Sequence, residues 1–167
     1  MRELEFDRAI LITPEDIQDD QVEIIKCEPL NYEQYNHFIV YRLHEYINTT
    51  HCLLVQNDGY VVNPWNWKEE WMQYDYIGAL WPLPQDDFCV AKDLDLEWKQ
   101  YYGFYHEDGF FCCHHRKTYE SKGCKFAPIE VAAEFSHETM VAENYGNIPF
   151  GFHGRNNYYY QVTQKSL

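Results

Sequence analysis

Long apolar runs are missing from this chain: no uncharged window approaches the roughly 20 residues that a membrane-spanning helix needs, which excludes insertion. Basic charge is scarce too, with 13 Lys and Arg against 27 Asp and Glu and a formal net charge of -14. Such a surface repels a phosphate backbone and offers no basic stripe for counterion release, so nucleic acid is excluded as a partner. The amino end, Met1-Arg2-Glu3-Leu4-Glu5, lacks the apolar stretch of a secretory signal. Cysteines 27, 52, 89, 112, 113 and 124 follow no regular framework and read as reduced thiols of a cytoplasmic protein, with association at a membrane surface left open. Repeats and low-complexity linkers are absent as well. At 167 residues the size prior gives one domain, 1–167, able to bury a core without staples.

Aromatic rings are abundant. They make up 18% of the chain, with 15 Tyr and 5 Trp, more than a core of this size needs, so part of the surplus is expected to line a groove. Acid is abundant as well, and a diphosphate site on so acidic a protein needs a divalent cation or helix amides to offset the shared charge. A metal-binding carboxylate is therefore worth seeking.

The order of periodic segments is strand, strand, helix, strand. Residues 6–12 read as a short buried strand stopped by Pro14, and residues 22–27 alternate before Pro29. Asn31 can cap a helix with Gln34 three residues on, and Tyr35, Phe38, Ile39, Leu43, Tyr46 and Ile47 recur at helical spacing. The apolar run 52–55 reads as the next strand. This pattern predicts an α/β fold with a mainly parallel sheet. Beyond it lie a loop and short helix over 63–71, a strand or strand edge over 74–81, a helix over 110–122 stopped by Gly123, and an Ala-rich turn at 131–134.

Gln56-Asn57-Asp58-Gly59 follows the run 52–55 and has two readings. In an open α/β sheet, ligands bind beyond the carboxyl ends of strands, which would point Asp58 into a site. The other is a tight Asn-Asp-Gly turn, with Tyr60-Val61-Val62 as hairpin partner.

The ordered set Gln56-Asn57-Asp58-Gly59, Tyr74-Asp75-Tyr76-Ile77-Gly78-Ala79 with Trp81, Glu107-Asp108 before Phe110-Phe111-Cys112, Phe126-Ala127-Pro128 with Phe135-Ser136, and Phe150-Gly151-Phe152-His153 resembles one family. It is similar to a glycosyltransferase-like domain family of unknown function from bacterial polysaccharide clusters, related to the GT-A nucleotide-sugar transferases. The resemblance implies a GT-A-like, Rossmann-like single domain. It also implies a metal-dependent, inverting transfer of a sugar from a nucleotide-sugar donor to a saccharide acceptor. By the same resemblance, Asp58 and His153 are metal ligands for Mn²⁺ or Mg²⁺, and Asp108 is the catalytic base with Glu107 as fallback. Relatives carry a Gly-Asn-Gly-Gly loop between the Trp and the Glu-Asp pair, whereas residues 82–105 hold only Gly103. The domain is thus expected to be truncated, and the alternative function is that of an inactive shortened relative that binds carbohydrate or a protein partner.

Each group also has a plainer reading. A carboxylate at a helix start, such as Asp108, is a common N-terminal cap. His153 between glycines is often a packed surface histidine, although imidazole with carboxylate suits Mn²⁺. Gln56, Asn57, Trp65 and Trp81 are candidate substrate contacts, and Trp67 could likewise stack on a sugar ring, although core burial is the commoner fate of each tryptophan. Cys112-Cys113-His114-His115 suggests zinc by composition, yet four successive helical residues point in different directions.

Overall fold

The computed structural model describes residues 4–80 and 106–154, apart from the Cys113 side chain. Strands β1 (Ile10–Thr13) and β2 (Glu23–Lys26) form a parallel pair with Ile10 opposite Glu23 and Thr13 opposite Lys26. Pro14, which has no N–H to give a ladder, follows the end of β1. The Arg8 guanidinium grips both carboxylate oxygens of Glu23 at 2.7 and 2.6 Å and donates to the Tyr46 carbonyl at 3.1 Å. That fork ties the small sheet to the turn following the first helix.

Helix α1 (Tyr32–Tyr41) begins as its sequence demands. The Asn31 side chain accepts from the Gln34 N–H and the Gln34 side chain accepts from the Asn31 N–H, a complete capping box. Its inward stripe holds buried Ile39 and half-buried Tyr35 and Phe38, and in the same phase lies Asn36, which is fully buried. A 3₁₀ turn, Leu43–Tyr46, follows.

Residues 52–55 form no strand. Leu54 and Val55 are 44% and 56% exposed, so the run has no face buried against a neighbour to hold it extended in a sheet. The first pairing after them is the bridge between Gln56 and Gly59, with β3 (Gly59–Val61) beyond. Helix α2 (Glu107–Gly109) runs into a π-helical turn, Phe110–His114, and α3 (Arg116–Ser121) follows. The single helix expected over 110–122 is thus interrupted at His115, where low helix propensity in Phe-Phe-Cys-Cys-His-His lets packing decide the local winding. Gly123, at φ 96°, closes α3 as expected: its N–H donates to the Glu120 carbonyl and that of Cys124 to the Tyr119 carbonyl, both at 3.0 Å, which is a full Schellman motif.

The Ala-rich stretch expected as a turn is helix α4 (Ile129–Phe135), because alanine favours helix and here buries Ala132 and Ala133. It leads into β4 (Ser136–His137), and β5 (Gly151–His153) lies between β3 and β4. β5 is antiparallel to β3 and parallel to β4. The fold is therefore mixed α/β, with two parallel ladders and one antiparallel ladder among the described residues. Within 74–80, the expected strand reduces to one parallel bridge from Tyr76 to Phe126.

The core beside β5 is aromatic. Trp71 and Phe150 are 2% and 1% exposed with ring centroids 5.7 Å apart, and Trp67 and Phe135 close around them at 5.5 and 5.3 Å from Trp71. Among the described residues no helix is long and apolar enough to cross a membrane.

Asn36 joins this fold to the segment that starts at Glu107. Its amide donates to the Tyr32 carbonyl at 2.8 Å and its oxygen accepts the Glu107 N–H at 3.0 Å. Truncation leaves a buried donor unsatisfied, so Asn36→Ala should lower the unfolding free energy by about 2 kcal/mol in urea titration. A loss below about 0.5 kcal/mol, the range of ordinary surface changes, would mean the two elements dock without it.

Candidate active site

His153 ends the central strand β5 and faces Gly59 across the antiparallel ladder. Directly opposed residues share a face of the sheet, and Gly59 contributes no side chain there. The imidazole fills that space: a Cβ built on Gly59 would stand 2.8 Å from His153 Cδ2. Asp58 precedes Gly59 in the turn closed by Gln56 and Gly59, whose mutual N–H to carbonyl bonds are 2.8 and 3.1 Å. The tight-turn reading of this stretch therefore holds, but its hairpin half does not, because residues 52–55 form no strand and β3 pairs with β5. Asp58 sits in a turn at the start of an antiparallel strand, not at the carboxyl end of a parallel one.

The turn nevertheless points the carboxylate at the imidazole. Asp58 Oδ1 is 3.7 Å from His153 Nε2, and the Asp58 carbonyl accepts the Gly154 N–H at 2.7 Å, locking the turn to the end of β5. On the other side of the ring, Glu138 Oε2 is 3.5 Å from Nδ1. Glu138 directly follows β4, whose His137 pairs with Phe152, so the parallel ladder delivers it. The Glu138 carboxylate at Nδ1 is the main reason the imidazole pKa is raised; Asp58 and Asp108 add to it, and partial burial opposes it.

Glu107 and Asp108 open α2 nearby. Asn36 holds the Glu107 backbone, and the Gly109 N–H donates to Asp108 Oδ1 at 2.7 Å. The N-cap position belongs to His106, so Asp108 is a first-turn residue and not the cap. Burial raises the pKa of both carboxyls; Asp108 raises Glu107 further, and Glu138 does the same to Asp108. The charges of Glu107 and His153 act on one another, as do those of Asp108 and His153, so the start of α2 lies within electrostatic range of the ring. Two tyrosines of α1 border it. The Tyr32 hydroxyl meets His106 Nδ1 at 2.5 Å, and the Tyr35 hydroxyl accepts from the Gln56 amide. Burial, with Glu107 next, pushes the Tyr35 hydroxyl far up, so it stays protonated.

The structure thus brings Asp58, Asp108, Glu107 and His153 together, with Gln56 at the margin through Tyr35. Asn57 is exposed in the turn. Trp65 stands apart: it is 58% exposed on the 3₁₀ turn Pro64–Asn66, past the opposite end of β3 from Asp58. Trp67 belongs to the aromatic core, and Trp81 lies outside the described residues. Glu138, Tyr32 and Tyr35 were not foreseen as site residues. Asn36 left one signal, a polar residue in the apolar phase of α1.

Among the described residues, no group of three or more His, Cys, Asp or Glu side chains is arranged to hold a metal ion. Two donors do face one another. Asp58 Oδ1 and His153 Nε2, 3.7 Å apart, match a site that takes the rest of its shell from water and a substrate phosphate. The mixed N and O donors suit Mn²⁺, and Gly59 leaves room for the ring where a Cβ would stand 2.8 Å from Cδ2.

Comparison with known proteins gives a match over residues 21–101 to the family described as Protein of unknown function (DUF5672). No curated protein and no solved structure matches the chain.

The raised pKa of these half-buried carboxyls has a consequence for stability. A folded-state pKa above the unfolded one means that the folded protein holds the proton more tightly. That stabilisation is fully present below the unfolded carboxylate range and is lost as pH rises through the raised folded value. Asp108→Asn keeps an acceptor for the Gly109 N–H and removes the ionised form, so its melting temperature at neutral pH should exceed that of the wild type. The gain should shrink as the pH is lowered. A variant less stable at neutral pH would show that ionised Asp108 supports the fold.

Proposed function

We propose that this chain is a metal-dependent, inverting glycosyltransferase of the GT-A type, moving a sugar from a nucleotide-sugar donor to a saccharide acceptor. The observation that carries the reading is the approach of Asp58 and His153 to 3.7 Å, with the half-buried pair Glu107 and Asp108 within electrostatic range, three separate parts of the chain. Asp58 and His153 would hold Mn²⁺ or Mg²⁺, which when bound supplies positive charge to a leaving diphosphate.

The remaining chemistry falls to the protein's own groups. Asp108 accepts the proton of the acceptor hydroxyl as that oxygen bonds to the anomeric carbon and the bond to the diphosphate oxygen breaks. A carboxyl whose pKa is raised by burial is a stronger base than one in water, which favours it for this role. Glu107, one residue earlier and likewise raised, is the alternate base. The Tyr32 hydroxyl and His106 supply polar contacts at the rim. Trp65 supports the second reading, an inactive relative that binds carbohydrate, because an indole 58% exposed offers a stacking face.

Turnover separates the two readings. Incubated with Mn²⁺ and a panel of nucleotide sugars, the wild type should release nucleoside diphosphate, and Asp58→Ala should abolish metal-dependent donor binding in calorimetry. Asp108→Asn should lower turnover by about 10² or more with donor affinity near wild type. No release from any donor, combined with saccharide binding lost in Trp65→Ala, would support the binding protein instead.

A further inference from the structure

The imidazole of His153 is held on three sides. Gly59 lies across the ring, Asp58 faces Nε2 at 3.7 Å, and Glu138 faces Nδ1 at 3.5 Å. A neutral imidazole carries one N–H, and which nitrogen bears it is set by the partner that accepts the bond. Two carboxylates compete for that proton here, and they are not equivalent. Glu138 is delivered by the strand adjacent to β5, and its stem passes Gly154, where a Cβ would lie 3.7 Å from Glu138 Cγ. Gly154 has φ 125°, a conformation that glycine adopts without strain, so the backbone turns away just after His153 beside Glu138. Asp58 sits on a two-residue turn and faces the other ring nitrogen at 3.7 Å.

We propose that Glu138 is a positioning residue: its carboxylate holds the Nδ1–H of His153 and so turns the bare Nε2 toward Asp58, where a divalent ion can be bound. The physical reason is that an imidazole ligates through an unprotonated nitrogen, while a carboxylate on the other nitrogen fixes both tautomer and ring orientation and raises ligand basicity. Gly59 has a separate, steric part in the same device. Any Cβ there would stand 2.8 Å from ring Cδ2, so the ring or the strand must shift. The inference rests on the metal-dependent reading for its purpose, yet its structural half concerns the metal-free protein alone.

The test uses the full chain with ¹⁵N-labelled histidine, and compares the wild type with Glu138→Gln, Glu138→Ala and Gly59→Ala. Two-bond nitrogen–proton correlation at a pH where the imidazole is neutral reports the tautomer, and Mn²⁺ titration by calorimetry reports affinity. Wild-type His153 should be the Nδ1–H tautomer. Glu138→Gln, which retains an acceptor, should keep that tautomer and weaken Mn²⁺ binding modestly. Glu138→Ala should shift His153 toward Nε2–H and weaken Mn²⁺ by about 10 to 100-fold, the usual loss for an outer-shell partner. Gly59→Ala should weaken Mn²⁺ with the Glu138 carboxylate intact.

A wild-type Nε2–H tautomer, or a tautomer unchanged in Glu138→Ala, overturns the inference whether or not metal binds. A wild type with the expected tautomer that fails to bind Mn²⁺ would instead count against the transferase reading and leave the positioning role of Glu138 in place. If Glu138→Ala does not fold, the wild-type tautomer and Gly59→Ala still decide, since equal Mn²⁺ affinity in Gly59→Ala would show that ring position is irrelevant.

Discussion

The antiparallel register that sets Gly59 opposite His153 fixes several groups of the site at once. It places the imidazole over a residue with no side chain, brings the turn carboxylate of Asp58 to Nε2, and leaves Nδ1 toward the Glu138 side. A slip of one residue would turn His153 to the other face of the sheet and set it opposite Tyr60 or beyond β3. These strands are only two or three residues long, so the ladder alone is a weak guard of register. The aromatic packing of Phe150, Trp71, Trp67 and Phe135 supplies it, since Phe150 is anchored in the core immediately before β5. The Phe150 carbonyl also accepts from both Val62 and Asn63, which clamps the far end of β3.

The second feature is a concentration of acid in a partly buried place. Asp58 and Glu138 flank one imidazole, Glu107 and Asp108 lie within electrostatic range of it, and burial raises the pKa of Glu107 and Asp108. Like charges brought together out of water destabilise a fold, and such perturbed groups cluster at sites of function more than elsewhere. Asn36 and the Gly109 N–H offset part of this cost by fixing the α2 start in place. Bound cation would offset the rest, which is the physical argument linking an acidic chain to an ion and a diphosphate.

Much of the framework was legible because the signals are local. The Asn31–Gln34 capping box, the Gly123 stop and the Asp58-Gly59 turn each depend on residues a few positions apart, and each is present. The second strand falls where periodicity placed it, whereas the first is confined to Ile10–Thr13 with only Thr13 buried, and α1 stops at Tyr41 with a 3₁₀ turn over Leu43–Tyr46 where the apolar spacing predicted further helix. What failed depended on distant partners. Residues 52–55 have strand composition but no strand to pair with, and the 131–134 stretch is helical because Ala132 and Ala133 find a core to bury against. At the site, motif order led to Asp58, Asp108 and His153, whereas Glu138 is brought in only by the pairing of β4 with β5, which nothing near residue 138 announces. Trp65, a candidate by its ring alone, lies past the opposite end of β3 from Asp58.

The central claim is that an ion belongs between Asp58 and His153, and paramagnetic broadening by trace Mn²⁺ in amide spectra of the full chain tests it most directly. Relaxation falls off steeply with distance, so the account predicts that the signals of Asp58, Gly59, His153 and Gly154 disappear first, followed by those at the start of α2. Broadening centred on other acidic stretches, with His153 and Asp58 unaffected, would contradict it.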